Sequence, residues 1–253
     1  MVARAAFMGV GFALAATAAH AQTVMEQAAE HRFQLDFHVN DAALQKMLPS
    51  GWEPAIAAQG PAKDCNIRLI FIDRMAVVGA DGKSVRKGSE RLAYLAVPVK
   101  QTSGTQTGQM IIAGLTDDAA NSGPFGVYRA ASTSKVSRNV SSSSGTVLSD
   151  EDWEFAGANG EHLSMHLKYE RGSPAKGGGE VRFYDPSDPL KYQIFRTEQG
   201  LDILRNTTTN PADRVKEFSY SAGGGRFAAL FDGKEKVLSW DSFPWYTRTI
   251  LTP

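Results

Sequence analysis

Cysteine is nearly absent from this chain of 253 residues, which contains only Cys65. A single cysteine cannot form a disulfide within the chain, so the fold must be stabilised by a hydrophobic core, and the chain is long enough to build one. Cys65 precedes an apolar, strand-like segment, where we interpret it as a small buried side chain and not as a nucleophile.

An excess of charge of either sign is also missing. The sequence contains 27 basic and 27 acidic side chains, and its formal net charge at pH 7 is zero. Proteins that bind nucleic acids need a positive surface to attract phosphates, and attraction to an anionic membrane surface needs the same. We therefore expect neither a nucleic acid nor an anionic membrane as a partner.

Long uncharged hydrophobic segments are missing except at the N-terminus, over residues 5–19. This segment is shorter than the roughly 20 apolar residues that a transmembrane helix needs. Ala19 and Ala21 are small residues at the two positions that a signal peptidase reads, which predicts a signal peptide over residues 1–21. We expect a periplasmic or secreted protein without membrane insertion after cleavage, in which residues 22–253 form a single domain.

The motifs of common catalytic and metal sites are missing as well. The sequence has no Gly-rich phosphate loop that opens a helix, no Gly-x-Ser-x-Gly motif and no cysteine pair. His162 and His166 are spaced to share one face, but a metal site would need a third ligand such as Glu161 or Glu170. The alternation around them favours a strand whose polar face meets solvent or a cavity, so we expect no metal and no other cofactor.

The sequence does contain a series of short β-strand patterns. Residues 31–39 alternate apolar and polar side chains, and residues 66–78, 91–100 and 109–115 are apolar segments separated by turns. Asn40 predicts the start of a short helix. Many strands with few short helices indicate a mainly β (α+β) fold. A closed or nearly closed barrel would hide the strand edges and could enclose a cavity.

Charged residues lie on or beside two of these apolar strands. A charge inside a barrel is costly unless it is paired or contacts a charged ligand, so inward-pointing side chains would form a pocket for a polar or anionic small molecule. Outward-pointing side chains would be ordinary solvated residues, and the sequence leaves both orientations open. The residues concerned are Arg68, Asp73, Arg74, Glu90 and Arg91.

Five segments follow one another in an order that is known from one superfamily. They read VNDAALQKMLPSGWEP, IRLIFIDRM, SERLAYLAVPV, QMIIAGLTDDAANSGPFGVYRAAS and VLSWDSFPWYTRTI. In this order they resemble the acetoacetate decarboxylase-like superfamily, whose fold is a β-barrel or cone around a mostly apolar cavity. The resemblance covers most of the chain after the signal peptide, and it implies such a barrel with few short helices.

The resemblance also implies where functional residues lie. Decarboxylases of the superfamily form a Schiff base between a keto acid and a lysine, whose pKa is lowered by burial and by a neighbouring lysine. The match places Glu90 on the acidic residue near that lysine, and Arg129, or alternatively Ala130, on the lysine itself. Arginine stays protonated and cannot form an imine, and the nearest amine, Lys135, comes several residues later.

We therefore expect an exported protein that binds a small oxo or carboxylic acid inside its barrel. It would act as a lyase, hydratase or isomerase without a Schiff base. Arg129 would bind the carboxylate and Glu90 would be the general acid or base. Arg68, Asp73 and Tyr128 would contact the substrate. The resemblance also implies self-association into a homo-oligomer.

Three other functions remain open at the level of the sequence. A non-catalytic periplasmic carrier of an apolar ligand would direct neither Arg129 nor Glu90 at its cavity. A structural protein of the cell envelope would have a barrel filled with side chains. A true decarboxylase would use Lys135 as its amine.

The signal peptide gives a testable prediction. When the full chain is expressed in a bacterium, the mature protein should begin at Gln22, because cleavage is expected after Ala21. Intact mass and N-terminal sequencing of the protein from the periplasm or the medium check this. A product that keeps Met1 and stays with the membrane fraction would contradict it.

Overall fold

The computed structural model describes residues 22–208 and 213–253. The predicted signal peptide, residues 1–21, lies outside the described residues. Thirteen strands occur in the described part of the chain. They are β1 (Thr23–His38), β2 (Trp52–Pro54), β3 (Ile67–Val78), β4 (Glu90–Gln101), β5 (Thr107–Thr116), β6 (Tyr128–Ala130), β7 (Thr133–Ser143), β8 (Thr146–Ala156), β9 (His162–Glu170), β10 (Ala175–Tyr184), β11 (Tyr192–Asn206), β12 (Val215–Gly223) and β13 (Lys236–Thr252).

Most of these strands belong to one large sheet that closes on itself. Its order is β2-β4-β3-β1-β13-β11-β10-β5-β6, and β4 also pairs with β5, so that the seven strands from β4 round to β5 form a ring. The junction of β5 and β10 is the weakest in this ring, with a single parallel pair of Gln109 and Phe183. The predicted mainly β fold, a barrel or cone around an interior, is confirmed.

Strand β1 shows how the sequence builds the wall of the barrel. Phe33, Leu35 and Phe37 are fully buried on its outer face. Successive side chains of a strand point to opposite faces, so Arg32 and Asp36 point into the ring. The predicted alternation of this segment is confirmed, and its polar side faces the interior.

A second, smaller sheet covers one side of the barrel. It has the order β12-β9-β8-β7, and its inner face packs against the outward side chains of β1 and β3. The ring of Phe71 lies 5.9 Å from that of Trp153 and 6.4 Å from that of Phe155. The main hydrophobic core therefore lies between the two sheets, outside the barrel.

The interior of the barrel has a hydrophobic cluster of its own. It is formed by inward-pointing side chains of the large sheet and is separate from the core cluster that includes the small sheet. Its buried members are Ile70, Ile72, Leu92, Tyr94, Ala96, Ile111, Tyr128, Phe183, Phe195 and Ile250. These side chains line part of the interior, and charged groups occupy much of the rest.

Helices are short in the described residues. The α-helix α1 (Asp41–Gln45) begins where the sequence predicted, because the side chain of Asn40 accepts a hydrogen bond of 2.9 Å from the backbone N–H of Ala43. Short 3₁₀ turns occur at Pro124–Gly126 and Ala158–Gly160. None of the helices described has the length and hydrophobicity required to cross a bilayer.

The position of the main core leads to a stability prediction. Phe155→Ala should lower the free energy of unfolding by about 3 to 5 kcal/mol, because it leaves a cavity at a fully buried position between the sheets. Leu190→Ala is the matched control, since Leu190 is 91% exposed and should change stability by less than about 0.5 kcal/mol. Urea denaturation measures both. Equal effects would show that the two sheets do not pack as described.

Candidate functional site

The barrel encloses a cavity of about 470 Å³, which we call the large cavity. All seven strands of the ring contribute side chains to its wall. Part of the wall is aromatic, and Tyr94, Phe183, Phe195 and Tyr246 belong to this part. The polar part consists mainly of Arg32, Gln34, Asp36, Arg68 and Asp241. A cavity of this size, apolar with a few convergent polar groups, is typical of a small-molecule site.

A second cavity of about 280 Å³, the small cavity, is lined by other residues of the same sheet. Its charged lining comes from Glu26, Arg74, Arg86 and Arg248, and Tyr128 adds an aromatic ring. Tyr128 stacks on Tyr94 of the large cavity, with 5.9 Å between the ring centroids. The two cavities therefore share a wall inside the barrel.

Glu30 is the centre of a buried charge network in this wall. It accepts a hydrogen bond of 2.5 Å from Nε of Arg32. Its other oxygen lies 2.8 Å from Nη2 of Arg248 and 3.3 Å from Nε of Arg74. Burial by itself raises the pKa of Glu30, but the arginines, with Arg248 foremost, lower it to about 2. The network therefore keeps Glu30 ionised and connects the two cavities.

Glu90 is bound into the same network and is almost fully buried. Arg74 donates a hydrogen bond of 2.5 Å to Oε1 of Glu90, and the amide of Asn121 lies 2.8 Å from each of its oxygens. Arg74 also contacts Glu26. Both oxygens of Glu90 are thus already engaged, in contrast to the free acid or base that the sequence predicted.

Arg129 lies outside the barrel, and this corrects the prediction that it shares a cavity with Glu90. Tyr128 points inward from strand β6, so the next residue points outward. The guanidinium of Arg129 is half exposed and lies 3.2 Å from Glu161, which Arg226 also contacts at 2.8 Å. The inward position next to it on strand β6 belongs to Tyr128.

The three predicted substrate contacts lie in three different places. Arg68 lines the large cavity, where its Nε is 3.4 Å from Oδ1 of Asp36. Tyr128 lines the small cavity. Asp73 faces outward, where Arg138 donates a hydrogen bond of 2.8 Å to it, so the expectation that Asp73 faces the cavity is also corrected. Only Arg68 and Tyr128 reach the interior.

Amines are missing from the interior as far as the structure describes it. None of the lysines in the described residues is buried, and none lines either cavity. Lys135 is exposed on strand β7 of the small sheet. The structure therefore offers no amine that could form an imine with a ligand inside the barrel.

The two histidines of strand β9 share one face, as their spacing predicts, but they have different partners. His162 contacts the Ser221 hydroxyl at 2.9 Å. His166 lies 2.9 Å from Asp152, which raises the pKa of His166 through a hydrogen bond. Donor atoms of Asp150, Asp152 and His166 lie within 4.8 Å of one another, on an exposed surface. The third ligands suggested by the sequence are not among them.

Comparison with solved structures identifies the fold. The enduracididine biosynthesis enzyme MppR with bound HEPES matches with a TM-score of 0.53 and 11% identity, over 100% of this chain and 96% of that chain. MppR complexed with pyruvate matches with a TM-score of 0.50 and 11% identity, over 96% of this chain and 95% of that chain. An acetoacetate decarboxylase-like enzyme from Sphingomonas wittichii RW1 has a TM-score of 0.50 and 11% identity, over 95% of each chain.

The chain has the acetoacetate decarboxylase-like fold. No family model matches the sequence, and a search of curated proteins finds no match. The resemblance inferred from short sequence segments is thus confirmed for the fold. At this level of sequence identity the comparison shows the fold and does not show an activity.

Several charged residues of this acetoacetate decarboxylase-like interior were missed in the sequence. Arg32 and Asp36 belong to the polar side of an alternating strand, which is also the pattern of a strand facing solvent. Asp241 and Arg248 lie in the long last strand, whose charges were not singled out. One pattern could have revealed them. It is a strand with charged residues on one side and strongly apolar residues on the other, when several neighbouring strands of a predicted barrel show the same pattern.

The charge network gives a stability prediction. Glu30→Gln should lower the free energy of unfolding by about 3 to 5 kcal/mol, because it leaves buried guanidinium groups without their shared counter-charge. Glu180→Gln is the matched control. Glu180 pairs with Arg196 at the surface, where both side chains are about half exposed, so we expect less than about 1 kcal/mol. Urea denaturation at pH 7 compares the two variants.

The same network predicts a pH dependence. The pKa of Glu30 is about 2 in the fold, below its ordinary value of 4.5. Its contribution to stability is therefore complete above about pH 4.5 and is lost as the pH falls towards 2. Thermal melting between pH 2 and 6 should show a smaller acid dependence for Glu30→Gln than for the wild type. Parallel curves would mean that Glu30 is not the stabilised carboxylate.

Proposed function

We propose that this chain is an exported protein that binds a small organic acid inside its barrel. The observation that carries the proposal is the buried guanidinium of Arg32 in the wall of the large cavity. Arg32 is 5% exposed. Its Nε and Nη2 both contact the carboxylate of Glu30, and no second carboxylate among the described residues pairs with it. An arginine carries five N–H donors, and those that Glu30 does not engage can donate to a ligand carboxylate in the cavity.

A second guanidinium, that of Arg68, can also donate hydrogen bonds to a ligand and supports the same proposal. Nε of Arg68 lies 3.4 Å from its ion-pair partner Asp36, and the guanidinium makes no hydrogen bond with any described residue. Arginine binds carboxylates through paired, charge-assisted hydrogen bonds, so an acid group on the ligand suits both Arg32 and Arg68. The aromatic rings beside them would contact the carbon part of the ligand.

The class of acid is proposed from the fold and its neighbours. MppR, which shares the fold at low identity, has been solved complexed with pyruvate. Pyruvate is a 2-oxo acid, which agrees with the oxo or carboxylic acid expected from the sequence. We therefore propose small oxo acids as the first ligands to test.

A reaction in this cavity would proceed without a covalent intermediate on the protein. No buried lysine is found in the described residues, so the cavity supports lyase, hydratase or isomerase chemistry by proton transfer. The sequence assigned this chemistry to Arg129 and Glu90. The geometry supports Arg32 and Arg68 as the anchoring groups, while Glu90 helps to hold Arg74.

The competing functions receive less support from the same cavity. A carrier of an apolar ligand would gain nothing from the buried guanidinium of Arg32 and the carboxylate of Asp36. A structural protein would have a filled barrel, whereas the large cavity measures about 470 Å³. A decarboxylase acting through Lys135 would need an amine inside the barrel, and Lys135 is on the surface.

Calorimetric titration tests the proposal. Pyruvate should bind to the mature protein and neutral acetone should not, because only the acid offers a carboxylate to Arg32. Arg32→Met should weaken pyruvate binding by about 10 to 100-fold, the equivalent of one hydrogen bond to a charged group. Arg129→Ala should leave binding unchanged, since Arg129 lies outside the barrel.

Two controls complete the experiment. The melting temperature of each variant shows whether it is folded, and Arg68→Gln replaces Arg32→Met if the latter is not. Treatment with borohydride in the presence of pyruvate should leave the mass of the protein unchanged. Equal binding of acetone, undiminished binding by both cavity variants, or an adduct on Lys135 would contradict the proposal.

A further inference from the structure

Two buried carboxyl groups lie together in the wall of the large cavity. Asp36 is on β1 and Asp241 is on the neighbouring strand β13, and they are 1% and 6% exposed. In the register of these strands Asp36 pairs with Ser239, and Gln34 pairs with Asp241. The two aspartates are therefore diagonal neighbours on one face, about 7 Å apart at the backbone.

The hydrogen bonds of this pair leave one oxygen free. Ser239 donates a hydrogen bond of 2.7 Å to Oδ1 of Asp241. Gln34 donates one of 2.8 Å to Oδ1 of Asp36. Oδ2 of Asp36 is buried and accepts no hydrogen bond from an N–H or O–H group of the described residues, although the thiol of Cys65 interacts with this carboxylate. The buried Oδ2 therefore has spare acceptor capacity in a residue of the cavity wall.

The charges around the pair do not balance if both groups are ionised. Arg68 is the cation that contacts Asp36. Asp202 also acts on Asp241, but its own charge is paired with Arg214 at 2.9 Å. The remaining titratable neighbour is Cys65, whose pKa is raised to about 12 by burial, so it stays a neutral thiol. Two carboxylates beside one arginine predict that one of them keeps a proton.

Arg68 decides which group keeps it, because both groups are buried and Arg68 contacts Asp36. Burial and the negative charge of Asp36 raise the pKa of Asp241 to about 8. Burial also raises the pKa of Asp36, and Arg68 opposes this rise. The contact with Arg68 favours the negative charge on Asp36, so Asp241 is the member of the pair that keeps the proton.

We propose that Asp36 and Asp241 act as a base and an acid on an oxo acid bound in the large cavity. This inference rests on the proposed function and names its reaction, which is enolisation. With the ligand carboxylate on the cavity arginines, Asp241 would donate its proton to the carbonyl oxygen. Asp36 would accept a proton from the carbon next to the carbonyl through its free Oδ2.

The step balances without any further reactant. The carbon–hydrogen bond breaks, its electron pair forms the carbon–carbon double bond, and the carbonyl π pair takes the proton of Asp241. The enol leaves Asp36 protonated and Asp241 ionised, and the reverse step restores both. Such an acid–base pair typically accelerates proton transfer by about 10² to 10⁴-fold per group.

Deuterium exchange of pyruvate tests the proposal directly. In D₂O at pH 7, the wild-type protein should replace the methyl protons of pyruvate by deuterium, which proton NMR follows. Asp36→Asn and Asp241→Asn should each lower the exchange rate by about 100-fold or more, while calorimetry still detects pyruvate binding. Asp188→Asn is the control, because Asp188 pairs with Lys191 and is not among the residues that line the cavity.

A pH profile of the wild type gives a second readout that needs no variant. The exchange rate should fall as the pH rises through about 8, because Asp241 loses the proton that it donates. Stability should fall between about pH 3.8 and 8 and level off above that, since the folded pKa of Asp241 exceeds its ordinary value of 3.8 and the fold favours the protonated group. Asp241→Asn should flatten this loss of melting temperature.

The possible results separate the two proposals. Exchange that is undiminished in both aspartate variants, or a rate that keeps rising above pH 8, overturns the role of the pair. Pyruvate binding without any exchange by the wild type also overturns it and leaves the binding function intact. If pyruvate and other oxo acids do not bind at all, the proposed function fails and this inference fails with it.

Discussion

Arg32, Arg74 and Arg248 all contact the carboxylate of Glu30, and this shared ion pairing organises the interior of the barrel. The four residues come from β1, β3 and β13, so the contacts join three neighbouring strands. Removing charged groups from water is costly, and it is tolerated only when geometry and counter-charges compensate for it. The network in turn forms the wall between the two cavities and decides which guanidinium nitrogens remain available to a ligand.

This constraint also shapes the chemistry open to the fold. An imine requires an amine that loses its proton, whereas arginine stays charged at any physiological pH. The interior of the barrel offers charged groups and carboxyl groups, and none of the described lysines lies in it. The proposed binding of oxo acids and the proposed acid–base role of Asp36 and Asp241 both rest on an interior that carries arginines and carboxyl groups and no described lysine.

The strand pattern and the likeness to acetoacetate decarboxylase-like proteins were predictable because apolar alternation and turn residues act locally. The placement of Arg129 was not. On a strand, a shift of one residue moves a side chain from one face to the other, and short degenerate segments do not define an alignment that closely. Tyr128 therefore points inward where an arginine was expected. Asp73 and Arg68 are five residues apart on one strand and therefore face opposite sides, and the sequence did not show that Arg68 is the one that faces the cavity.

By itself the sequence determined that the chain forms many strands, carries almost no cysteine and places charges on apolar strands. Only the tertiary structure decided which of those charges are buried together. In the sequence Arg32 and Asp36 have the pattern of a solvent-exposed strand face. Alternation shows that a strand has a polar and an apolar side, but it does not show whether the polar side contacts solvent or the inside of a barrel. Closure of the seven-stranded ring turns one side into an interior, and residues as distant as Asp36 and Asp241 become neighbours through strand pairing that no local pattern encodes.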